Sequence, residues 1–155
     1  MVYFRHLEDY RIFDQLFPFL DCPEKTQRIA ALRATSTFRN PAKWPPVMDA
    51  LSDPGSTQPL LSAALQHVGE PIPLSIKRKL QPILAGLLDR RLNARVQEQV
   101  SWAICTTIEE RTVDAMIELL ADSRGARKTL GKTVKMSTSG DRMQFLERRF
   151  ISQLP

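Results

Sequence analysis

The sequence predicts an all-α chain built of helical hairpins, and three observations carry that prediction. Residues 76–88 and 96–108 set their apolar side chains at helical spacing. Aspartates at 21, 53, 89 and 122 each follow an apolar run, at intervals of 32, 36 and 33 residues. Apolar–polar alternation is weak, and Val and Ile are few outside the helical stripes, so no strand is expected.

The elements follow in chain order. About 8–21 pairs with 24–38, and Phe13, Phe17 and Leu20 share one face of the first helix as core. Tyr3 and Phe4 either dock on that hairpin as a cap or form an exposed patch for a partner. About 43–52 pairs with 57–68 around Asp53-Pro54. Pro71 and Pro73 then close off what precedes the third hairpin. There Ile76, Leu80, Ile83, Leu84, Leu87 and Leu88 stripe a helix over 75–88, and Val96, Val100, Ala103, Ile104 and Ile108 stripe another over 93–108. Asn93 is placed to cap the second, and the Asp89 carboxylate to accept N–H groups near its start. A fourth hairpin pairs 110–121 with about 126–136. The loop TSGD at 138–141 leads into a closing helix over about 141–153.

At 155 residues one domain is expected, since such a chain buries roughly 68–70% of its unfolded surface. The charge sits at one end. Residues 1–123 carry 14 Lys+Arg against 15 Asp+Glu, a net of −1, while 124–155 carry 8 against 2, a net of +6. No apolar run reaches the ~20 residues of a membrane span, and charges interrupt the N-terminal stretch where a secretory signal needs an apolar core. Cys22 and Cys105 lie far apart with no CxxC, and read as reduced thiols in a cytoplasmic protein.

Self-similarity at this period marks a stacked array of hairpins. Pro82, Asp89, Arg95 and Val96 in order, the same proline-to-aspartate step at Pro46 and Asp53, and Gln27-Arg28-Ile29 after Asp21 resemble HEAT repeats. The resemblance implies a right-handed stack of about four antiparallel hairpins, a HEAT-like α-solenoid, whose second helices line a concave partner-binding surface. The second unit lacks the arginine, and the fourth has Arg127 between two glycines.

The stretch GARKTLGKT at 125–133 resembles a phosphate-binding P-loop but fails its terms. Five residues separate Gly125 from Gly131 instead of four, and an amphipathic helix stands where a buried strand is required. As a basic patch the region reads better. Arg124, Lys128, Lys132 and Lys135 follow helical spacing, with Arg127 among them and Arg142, Arg148 and Arg149 on the closing helix. Such a face attracts nucleic acid or an acidic protein surface; equally, it is the solvated cap that a repeat array needs.

Arg95, Gln99, Trp102 and Thr106 form a second face beside the core stripe of their helix, a candidate site for a protein partner. Against it stands a structural reading, with Trp102 packed between hairpins and Arg95 bonded to a turn aspartate such as Asp53. HEAT-like DNA glycosylases place tryptophan, aspartate and arginine around an extruded nucleotide, but here no carboxylate is in register on that face. His6 and His67 have no metal-type spacing and read as helix-surface or boundary positions, so neither a metal, a cofactor nor a catalytic triad is expected. The expected function is a non-enzymatic protein-interaction module of adaptor, chaperone or immunity type. Nucleic-acid binding through residues 124–149 is the alternative.

Overall fold

The computed structural model describes residues 10–69 and 71–155. Tyr3, Phe4 and His6 lie outside the described residues. The described residues are all-helical, with no strand among them. Helix α1 covers 10–16, followed by α2 (Lys25–Thr35), α3 (Trp44–Ser52), α4 (Gln58–Leu65), α5 (Leu74–Leu88), α6 (Ala94–Thr107), α7 (Val113–Leu119), α8 (Ala126–Ser137) and α9 (Gly140–Arg149). Short 3₁₀ turns extend several of them, at Phe17–Phe19, Gln66–Gly69 and Ile151–Gln153. The backbone divides into two compact units, Met1–Glu70 and Pro71–Pro155.

Local chemistry explains where the helices begin. The Glu24 carboxylate accepts the N–H groups of Thr26 and Gln27 ahead of α2, and those bonds, the one from Gln27 first, hold its pKa below the usual range. Prolines occupy the first turn of α3 and α4, where their missing N–H costs nothing. Asn93 Oδ1 accepts the Val96 N–H at 2.9 Å, the cap expected for α6. Gly125 enters α8 with φ +84°, a left-handed conformation that only glycine adopts cheaply, so its role is to turn the chain.

In the first unit α2 and α3 both pack on α4. Phe13, Leu20, Leu32, Trp44, Leu51, Leu61 and Val68 are buried there. Phe17 departs from the expectation: it lies in the 3₁₀ turn and stays 41% exposed, with its ring 5.8 Å from that of Phe13. His67 departs further. The ring is fully buried, 2.8 Å from the Leu32 carbonyl through Nε2 and edge-on to Trp44. It is core, not boundary.

In the second unit α5 packs on α6 and α7, α6 on α8, and α8 on α9. The core positions Leu80, Leu84, Leu87, Val96, Val100, Ile104 and Ile108 of the two sequence stripes are buried, and Met116, Leu130, Val134, Leu146 and Phe150 continue the core. Several long-range hydrogen bonds recur at about one hairpin's length. Lys77 Nζ meets Glu109 Oε2 at 3.1 Å across 32 residues, Ser123 Oγ donates to Asp89 Oδ1 at 2.7 Å across 34, and Arg142 donates to the Cys105 carbonyl at 2.6 Å across 37. Asp89 therefore ties its turn to the turn holding Ser123, and Asn93 alone of the two caps α6.

Gly86 lies on the exposed side of α5, where an added Cβ meets nothing within 4 Å. Gly86→Ala is expected to stabilise the protein by about 0.5–1 kcal/mol by restricting the unfolded chain. A urea denaturation midpoint that stays level or falls would contradict this.

Candidate protein-binding groove between α6 and α8

Alpha-helices α6 and α8 pack along part of their lengths and leave an open groove of about 540 Å³. From α6 come Ala94, Gln97, Glu98, Ser101 and Trp102, at three- and four-residue steps that set them on one face. From α8 come Lys128, Thr129, Lys132, Thr133, Met136 and Ser137, on the same rule.

Three small side chains of the lining have hydroxyls that are already bonded. Ser101 Oγ donates to the Gln97 carbonyl at 3.0 Å, Thr133 Oγ1 to the Thr129 carbonyl at 3.2 Å, and Ser137 Oγ to the Thr133 carbonyl. Their donors being satisfied, these three add little polarity to the lining. Two large apolar side chains stand in water nearby: Trp102 is 41% exposed and Met136 76% exposed. Lys128 and Lys132, one turn apart and both exposed, edge the α8 side, and Glu98 is the acidic residue of the lining.

Trp102 also borders a neighbouring hollow of about 380 Å³, with Thr106, Cys105, Glu109, Thr138 and Arg142. Burial pushes the Cys105 thiol up to about 12, so it stays protonated and unreactive at neutral pH. Arg142 stacks beside the Phe145 ring while it bonds the Cys105 carbonyl, and burial lowers its pKa from the ordinary arginine value.

The structure regroups the residues singled out in the sequence. Trp102 is exposed, as the partner-binding reading requires, but Arg95 and Gln99 do not line the groove with it. Arg95 is exposed and Gln99 partly buried, and the α6 face in the groove runs through Gln97, Glu98 and Ser101 instead. Glu98 also supplies a carboxylate one turn from Trp102, where none was expected on its face. The basic residues divide. Lys128 and Lys132 reach the groove, while Arg124, Arg127 and Lys135 are exposed outside its lining. Arg148 and Arg149 border a different hollow with Asp114 and Glu118, and Arg149 pairs with Glu110 at 3.2 Å. Arg148 and Arg149 thus stand beside acids.

The P-loop-like stretch forms the start of α8, with Gly131 inside the helix and helix α7 upstream in place of a strand, so its N–H groups from Thr129 on are spent on helix bonds. Among the described residues no group of three or more His, Cys, Asp or Glu is placed to hold a metal ion, and no helix is long and apolar enough to cross a membrane. No protein-family model, curated protein or solved structure matches the chain.

Proposed function

We propose that this chain is a non-enzymatic protein-interaction module of HEAT-like helical hairpins, acting in the cytoplasm, that receives its partner in the groove between α6 and α8. The observation that carries the reading is Trp102 and Met136 left in water as part of the lining of one groove. Exposed apolar side chains gathered in one concave place gain free energy when another surface covers them. Tryptophan is the residue type most enriched where truncation costs binding energy. The hairpin reading draws on α5 packing against α6 and α7, on α6 packing against α8, and on the hydrogen bonds that repeat at 32, 34 and 37 residues. Adaptor, chaperone and immunity-type roles all use such a surface.

The nucleic-acid reading draws on Lys128 and Lys132 beside an exposed tryptophan, a pairing that suits a stacked base. Glu98 in the same wall opposes a phosphate backbone, and the separation of Arg148 and Arg149 from the groove shortens the track of cations.

The experiment is capture from a lysate of the native cell with the full chain as bait. A protein retained by the wild type is expected to bind Trp102→Ala about 30-fold more weakly, the effect of losing a ~2 kcal/mol hot spot. Circular dichroism should show that the variant keeps its helix content. Equal retention by the two folded baits would reject the groove as the binding site.

A further inference from the structure

We propose that the occupant of the α6–α8 groove is an acidic amphipathic segment of a protein, bound as a helix. Its apolar side rests on Trp102 and Met136, and its carboxylates meet Lys128 and Lys132. The proposal rests on the interaction-module reading and specifies the partner's chemistry.

Charge complementarity selects the sign. Lys128 and Lys132 stand one turn apart on the rim, so carboxylates at i and i+4 of a facing helix match their spacing. The field beyond the groove points the same way. Residues 71–155 carry 15 Lys+Arg against 9 Asp+Glu, a net of +6, while 1–70 carry 7 against 8, a net of −1. An acidic segment is thus drawn toward the second unit before contact and held at the rim after it.

The lining selects an apolar side for the same segment. Ser101, Thr133 and Ser137 spend their hydroxyls on carbonyls of their own helices, which lowers the polarity of that part of the lining. What the groove offers is side-chain surface: the indole of Trp102 and the thioether of Met136, which adapts its shape to what covers it. Both walls are helical, and a third helix packs its ridges into the hollow between two others. The twelve residues of α8 span about 18 Å, which suits a partner helix of about three turns. Glu98 repels carboxylates and phosphates alike, but a nucleic acid needs a track of cations along its backbone, and the lining holds two.

The test is selection of random peptides of about 14 residues, displayed on phage, against the full chain. One recovered peptide is then measured by fluorescence anisotropy, with a fluorescent oligothymidine as the competing probe. The recovered sequences should place Asp or Glu three or four apart beside aromatic or aliphatic residues. The Lys128→Glu, Lys132→Glu double variant and Trp102→Ala should each weaken binding about tenfold or more. Raising salt from about 50 to about 300 mM should weaken it for the wild type and less for the lysine variant. The Lys→Gln pair serves if charge reversal lowers helix content. Peptides with no acidic bias, or binding indifferent to the lysines, would overturn the acidic segment; if such binding still needs Trp102, the interaction-module reading stands. Failure to recover any peptide, or binding of the oligothymidine alone, also overturns the proposal. Peptide binding indifferent to Trp102→Ala removes both readings.

Discussion

Phe150→Ala is expected to destabilise the protein by about 3–5 kcal/mol, the cost of removing a buried aromatic ring and leaving a cavity. Phe150 follows α9 and is fully buried, with Leu146 one turn before it and Leu154 one turn after it also buried. The polar side of this segment carries Asp141 in the first turn of α9 and Arg148 and Arg149 in the last, each on the favourable end of the helix dipole. The Ile151–Gln153 turn then lies against α8, close enough that a Cβ at Gly131 would touch the Ile151 side chain at 3.5 Å. One ring thus anchors a segment whose surface charge gives little hint of its core role. A loss on this scale is large beside the 5–15 kcal/mol stability of a typical domain. Urea denaturation followed by circular dichroism measures it, with Leu119→Ala, at an exposed position, as the control expected to stay within about 0.5 kcal/mol. A loss below about 1 kcal/mol for Phe150→Ala would mean that the ring is not held in a close-packed core.

The helices were legible because each carries its own evidence. Leu80, Leu84 and Leu87 in α5, and Val96, Val100 and Ile104 in α6, are buried in the register their spacing gives, since one amphipathic helix faces its core whatever its neighbours are. Caps were legible on the same local terms at Asn93 and not at Asp89, whose hydroxyl partner comes from a turn 34 residues away. The groove was half legible. Helical spacing put Trp102 outside the core stripe, but which residues share its surface depends on where α8 crosses α6, and no spacing within either helix contains that. The same limit hid the split of the basic residues. Lys128 and Lys132 follow one helix face, while Arg149 is turned to Glu110, 39 residues earlier in the chain. His67 was misread for the corresponding reason. Its burial comes from Leu32 and Trp44 on two other elements, and a lone histidine at a helix end gives no local sign of either.

That buried histidine carries the second large effect, a loss of stability in mild acid. Burial, with the positive charge of Lys43 second, lowers the His67 pKa from 6.5 to about 4, against the opposing bond to the Leu32 carbonyl. Lys43 is itself buried, its Nζ 5.0 Å from the centre of the Trp44 ring, so a protonated imidazole would be a second cation in the same buried place. The folded protein keeps His67 neutral where the unfolded chain protonates it. Between pH 6.5 and about 4 the unfolded state binds more protons, and stability falls as the pH falls. Above pH 6.5 this histidine has no effect, and below about 4 its full cost is reached. That cost is about 3 kcal/mol, at about 1.4 kcal/mol for each pH unit. Carboxylates such as Glu24, whose folded pKa is depressed, also withdraw stability in acid, so the histidine is isolated by comparison with His67→Gln. Glutamine does not titrate and keeps an N–H for the Leu32 carbonyl. Urea midpoints measured from pH 7.5 to 4.5 should drop more steeply for the wild type than for the variant, with the difference growing below pH 6.5. Parallel slopes for the two proteins would show that the folded state does not hold this imidazole neutral.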